Sequence, residues 1–202
     1  MFKRKILSKL EAWKRDERHK PLILRGARQV GKTTVVNEFG SLFDNYLYFN
    51  LEMSESVRLF EMDIPLNDLV NMLFASLGKS QKEGSTLIFI DEIQNSPKTI
   101  ALLRYFYEQR PDLYVIAAGS LLENLVDVNV SFPVGRVMYL ALRPCSFYEF
   151  LGAIGKNNLL TILSQKAEYS IAFHEQLMHQ FNQYTIIGGM PEAVQNYAET
   201  QD

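Results

Sequence analysis

The chain has 202 residues, 47% hydrophobic and 22% charged, with a formal net charge of -2. A chain of this size and balance buries a full core without metals or disulfides, which excludes disordered, collagenous and coiled-coil proteins. Its single cysteine, Cys145, excludes an internal disulfide and fits a reducing, cytoplasmic setting, while no apolar run approaches the ~20 residues that span a bilayer and no apolar stretch of a signal peptide follows the charged N-terminus.

Residues 1–25 carry nine Lys/Arg against three acids, and the rest of the chain is acidic. Leu7, Leu10 and Trp13, three residues apart, predict a helix within 1–20 with one apolar face. The basic residues then form a solvated face, or a surface for phosphates that leaves a nucleic-acid partner open. A short apolar strand at 22–24 leads into Gly26-Ala27-Arg28-Gln29-Val30-Gly31-Lys32-Thr33, a complete G-x-x-x-x-G-K-[ST]. Each residue type has a job there. The glycines free the backbone and remove the Cβ atoms that would keep loop N–H groups away from an anion. The helix starting near Lys32, with Thr34, Val35, Val36 and Phe39 before Gly40, aims its free N–H groups and positive dipole end at the same place. Lys32 suits the β- and γ-phosphates, and the Thr33 hydroxyl suits Mg²⁺.

Further strands are predicted at 46–51, 86–90, 113–118 and 137–142, rich in apolar and aromatic residues. Helices fall between them. One spans 63–78, with Leu66, Leu69, Val70, Leu73 and Leu77 on one face, and another spans 97–110, capped by Ser96 with Pro97 in its first turn. Buried strands alternating with helices describe an α/β fold around a parallel sheet covered on both faces. The strand at 86–90 ends in Asp91-Glu92, at the edge where open α/β sheets bind ligands. Asp91 suits a metal, and Glu92 suits orienting and deprotonating a water, which favours hydrolysis over phosphate transfer to a small acceptor. From Ser146, which opens a capping box with Glu149, the pattern turns wholly helical, with Phe173, Leu177, Phe181 and Tyr184 on one stripe. The division expected is a core at 1–145 and a helical region at 146–202. His174 and His179 are five apart and so miss the four-residue spacing of a zinc-protease helix; Cys145 has no histidine near it in sequence to make it a nucleophile.

Together these residues resemble the P-loop ATPases that carry a Glu beside the Walker B Asp, and more narrowly a prokaryotic AAA+-like family near the archaeal-type ATPases and STAND NTPases. The resemblance rests on R-G-A-R-Q-V-G-K-T from Arg25, D-E-I-Q from Asp91, G-S at Gly119, the G-R…L-x-P-x-S-F-x-E-F-L pattern from Gly135 to Leu151, and G-G-M-P-E from Gly188. It implies a three-layer P-loop NTPase sandwich of strand order 5-1-4-3-2 with a small C-terminal helical lid, continuing in related chains into a further C-terminal domain. It also implies ATP or ADP with Mg²⁺ as ligands, Ser120 in the sensor-1 place, Arg136 as a finger for a neighbouring subunit, and Pro191 in a lid motif over the base. The finger role brings in a homo-oligomer or a partner protein. Broader AAA+ chains offer a lid arginine, but neither Lys nor Arg follows Lys166. An ATPase that couples its nucleotide cycle to conformational change is the reading expected. The alternatives are a switch that hardly hydrolyses and a nucleic-acid-dependent ATPase.

Overall fold

The computed structural model describes residues 2–120, 133, 135–165 and 171–200. These group into two compact units. One comprises Ser8–Arg28 and Lys32–Leu142, the other Met1–Leu7, Gln29–Gly31 and Arg143–Asp202.

The first unit is built on five strands: β1 (Leu22–Arg25), β2 (Asn45–Asn50), β3 (Thr86–Asp91), β4 (Leu113–Gly119) and β5 (Met138–Ala141). Their order is β2-β3-β4-β1-β5 and every neighbouring pair is parallel. This is the expected order read from the other edge. The burial patterns follow from it. β3, in the interior of the sheet, is buried at all six positions, while β2 and β5 at the edges alternate between inward and outward side chains.

Parallel strands need crossovers, and helices supply them on both faces. On one face α3 (Ser54–Phe60), α4 (Leu66–Ser76) and α5 (Pro97–Gln109) pack Phe60, Leu69, Leu73, Ile100, Leu103 and Phe106 onto Leu47, Ile88, Val115 and Ala117. On the other face, Trp13 of α1 (Ile6–Arg15) meets Phe39 of α2 (Lys32–Gly40) and Tyr114 of β4, and Phe43 closes the group. These are the three layers of a P-loop sandwich. The helix expected within 1–20 is a ten-residue α1, and Leu7, Leu10 and Trp13 are buried as their spacing requires. The 63–78 helix ends sooner than its stripe: Leu77 is its exposed C-cap, because the αL turn at Gly78 stops the chain there.

The second unit contains α6 (Phe147–Ala153), α7 (Asn157–Gln165), α8 (Ile171–Ile187) and α9 (Pro191–Thr200). α6 starts from the expected capping box: Ser146 Oγ accepts from Glu149 N, and Glu149 Oε2 accepts from Ser146 N at 2.8 Å. Phe150, Cys145 and Val194 form one small core with Tyr184 and Tyr197 against it, and Leu151, Leu159 and Leu177 form another. The stripe on α8 is only partly used. Leu177 is buried, but Phe173 and Phe181 stay exposed, because the helices available bury a narrower face than the sequence offers. Gly189 is required by close approach: a Cβ there would lie 2.5 Å from the Cys145 carbonyl oxygen, which its own backbone accompanies through a Cys145 N–H···O bond of 2.6 Å. Burial pushes the Cys145 thiol up to about 11, so it is a packed group rather than a thiolate.

Candidate functional site

β1 delivers the glycine-rich loop from its C-terminal end, β3 delivers Asp91 and Glu92, and β4 delivers Ser120. Because the strands are parallel and β4 lies between β1 and β3, all three groups leave the same edge of the sheet. The loop turns through two residues with positive φ, Gln29 at 63° and Gly31 at 88°, and enters α2 at Lys32. A non-glycine in that region is uncommon and concentrates at functional turns.

Lys32 is only 6% exposed. Its Nζ donates to the carbonyls of Gly26 and Ala27 at 2.9 and 2.8 Å, which folds the side chain back over its own loop. Burial lowers its pKa. Glu92 first and Asp91 second oppose that shift, so both carboxylates act on the Lys32 charge, and nearby Arg28 adds to the lowering.

Thr33 Oγ1 donates to Asp91 Oδ2 at 2.6 Å. That contact joins the first turn of α2 to the tip of β3. Asp91 is buried, and burial raises its pKa against the opposing bonds from Thr33 and the Glu92 N–H. The Glu92 N–H reaches Asp91 Oδ1 at 3.0 Å, and Glu92 itself sits in the left-handed region with φ 53°. This turn lifts the second carboxylate off the strand direction. Gln94, in the short 3-10 turn Ile93–Asn95, donates its Nε2 to Glu92 Oε2.

Three buried polar atoms have no hydrogen-bond partner among the described residues: Ser120 Oγ, Gln94 Oε1 and Arg25 Nε. Unpaired buried groups are costly, about 1–3 kcal/mol each, and point to a missing ligand or water. Arg25 lies directly before Gly26, and its guanidinium stacks 4.0 Å from the Tyr139 ring. Gln94 and Arg25 also belong to this edge; in the sequence they stand within the D-E-I-Q and R-G-A-R-Q-V-G-K-T motifs with no role implied for either.

Arg136 stands elsewhere. β5 begins at Met138, opposite Leu22 at the start of β1, so Arg136 precedes the end of the sheet remote from the loop. Its Nε donates to Glu108 Oε1 at 2.8 Å, an oxygen that Arg104 also reaches at 3.0 Å. The Arg136 bond and then the Arg104 bond hold the Glu108 carboxyl below its usual range. In the second unit, Pro191 opens α9 and its Cγ lies 3.7 Å from where a Cβ on Gly31 would be. Arg4 is there too: in sequence it is one member of a basic run, yet it is one of the few buried charged side chains among the described residues.

The site suits a phosphate chain with its metal. Gly31 and Lys32 belong to an amide-rich turn, and a hydroxyl and a carboxylate 2.6 Å apart are hard oxygen donors of the kind Mg²⁺ takes. No group of three or more His, Cys, Asp or Glu among the described residues is placed to hold a metal, so phosphate oxygens and water would complete the shell. A family model described as "AAA domain" matches residues 18–151, two thirds of the chain. The chain belongs to that AAA domain family. It is an AAA+-like P-loop ATPase domain, with nucleotide binding as its common function. Among solved structures it is similar to that titled "Structure of Drosophila ORC bound to DNA", at 15% identity and a TM-score of 0.52, over 95% of this chain and 58% of that one. It is also similar to the "Structure of C. elegans PCH-2", at 12% identity and a TM-score of 0.44, over 83% and 49%. This AAA domain spans about three fifths of the first of these structures, and at 15% identity that likeness is one of fold. No curated protein matches the chain. Among the described residues no helix is long and apolar enough to cross a membrane.

Proposed function

We propose that this AAA domain binds ATP with Mg²⁺ and hydrolyses it, using the nucleotide cycle to drive or time a conformational change. The observation that carries the reading is the Thr33–Asp91 contact beside the folded-back Lys32, which brings the loop and the paired acids of β3 to one point. In this reading the loop from Gly26 to Thr34 cradles the phosphates, and Lys32 leaves its two carbonyl partners to bind them. Thr33 and Asp91 hold the metal. Mg²⁺, when bound, neutralises charge on the phosphate oxygens. Glu92 accepts the proton of the attacking water, and Gln94 keeps its carboxylate in one orientation. Ser120 Oγ, buried and without a partner among the described residues, supplies a hydrogen bond to the γ-phosphate or to that water. Arg136 faces away from the loop of its own chain, so a finger role for it belongs to a neighbouring subunit's site. Pro191 packs the lid motif near Gly31.

Two purified variants test the reading. Lys32→Ala abolishes ATP and ADP binding in calorimetry. Glu92→Gln binds ATP as the parent does but turns over roughly 10²–10⁴ times more slowly. Parent-like turnover in Glu92→Gln removes Glu92 from the chemistry.

A tightly binding, slowly hydrolysing switch is the second reading, and one observation favours it: the Gln94 bond that already occupies Glu92. Co-purified ADP with negligible turnover at high protein concentration would decide for the switch.

A further inference from the structure

Arg4 sits outside the motif and outside the strands, yet it is 6% exposed and every part of its guanidinium is engaged. Its Nε donates to Glu149 Oε1 at 3.0 Å, its Nη2 to the Arg143 carbonyl at 2.7 Å, and its Nη1 to the Val30 carbonyl at 3.0 Å. Glu149 is saturated in turn, accepting from Lys5 N at 2.9 Å and from Ser146 N at 2.8 Å as well. Taking a guanidinium and a carboxylate out of water is expensive, and the expense is offset only when geometry is good and the remaining donors are satisfied. Here each of the three guanidinium nitrogens donates at 2.7–3.0 Å. What the arrangement holds at its far end is the tip of the glycine-rich loop.

The peptide unit between Val30 and Gly31 is rigid and trans, so its C=O and N–H point in opposite directions. Gripping the Val30 oxygen therefore aims the Gly31 N–H away from Arg4. Gly31, with φ 88° and no Cβ, is the residue least able to hold that plane by itself, since glycine tolerates the flipped alternative. A flip would turn a carbonyl oxygen, not an N–H, toward the anion. Arg4 Nη1 also lies 3.6 Å from where a Gly31 Cβ would be, so the guanidinium fills the outer side of the turn.

We propose that Arg4 is a positioning residue of the phosphate loop: it locks the Val30–Gly31 peptide with its N–H turned inward, and through Glu149 it ties that orientation to the capping box of α6. The proposal rests on the nucleotide reading of the loop, and it gives the basic N-terminus a structural use that a solvated face does not.

The test uses the full chain with ¹⁵N-glycine, titrated with ADP and followed by calorimetry and by amide correlation spectra. In the parent, the Gly31 amide proton moves downfield when ADP binds. In Arg4→Met, the other glycine signals stay in place, ADP affinity falls at least tenfold and the Gly31 shift is lost. Arg4→Lys, which keeps the charge but not the planar fork, falls between the two. ADP affinity within twofold of the parent and an unchanged Gly31 shift in Arg4→Met would overturn the proposal. If Arg4→Met does not fold, the same outcome in Arg4→Lys overturns it. A parent that binds no ADP sinks the nucleotide reading instead. Arg4 is then judged on the ligand-free Gly31 signal, which moves on replacement if Arg4 orients that peptide and stays still if it does not.

Discussion

At the scale of single residues, the site is a set of short contacts between groups far apart in sequence. Thr33 and Asp91 are 58 positions apart and meet at 2.6 Å. If Thr33 helps hold the metal, Thr33→Ala lowers ATP affinity in Mg²⁺ to about the value measured with the metal chelated, and leaves the chelated value unchanged. Equal losses under both conditions would show that Thr33 serves only the phosphates. Gly26, Gly31, Lys32, Thr33, Asp91 and Glu92 could be singled out as candidates from the sequence because each is short-range: a residue type at a fixed offset from a strand end. The contacts of Gln94 and Arg4 could not be read in the same way. The Gln94–Glu92 bond depends on the left-handed turn at Glu92, and Arg4 reaches Val30 across 26 residues through a conformation that no local pattern encodes. Arg136 was legible only by its place before β5, and its bond to Glu108 came from the packing of α5 beside that strand.

At the scale of elements, the agreement comes from punctuation and periodicity. Each of the five strands lies within a residue or so of its apolar run, since strands buried by helices leave few polar positions to blur their ends. Caps were equally readable. Ser96 accepts from Thr99 N, Pro97 fills the first turn of α5, and Ser146 and Glu149 cap α6 reciprocally. Ser146→Ala removes one half of that box and should cost ~1 kcal/mol, within the usual 0.5–2. The loss appears as a lower urea midpoint and as faster amide exchange in the first turn of α6. An unchanged exchange rate would mean that Glu149 alone holds the helix start. The short α3 was not expected from the sequence, and α9 was covered only by the general expectation of helices after Ser146. α3 is seven residues long with a single buried residue, Phe60, and α9 has only Val194 buried, so neither displays enough of a stripe.

At the scale of the whole molecule, two buried carboxyls, Glu149 and Asp91, carry opposite pH signatures. Burial pushes Glu149 up, but the bonds from Ser146, Lys5 and Arg4 together hold it below the ordinary glutamate range. A carboxyl lowered on folding contributes stability that is full above the unfolded value, ~4.3, and is lost as pH falls through its folded one. Asp91, raised by burial, works the other way: its contribution is full below the unfolded value, ~3.9, and fades as pH rises through the raised one. Replacing Glu149 by Gln should therefore flatten the acid side of the stability curve, below about pH 4.5, and leave the neutral side's slope as it was. Urea midpoints across pH 3–8 check this, and an acid limb as steep as the parent's would refute it. The sequence alone determined the α/β class, the phosphate loop, the acids at the end of β3 and the helical C-terminal region, because all of these are written in residue types at fixed short spacings. The strand order was implied by resemblance, and the register that brings β1, β3 and β4 to one edge was decided by tertiary packing. So were the fold-back of Lys32 and the grip of Arg4 on the loop. Such contacts depend on which distant segments share a neighbourhood once the core has closed.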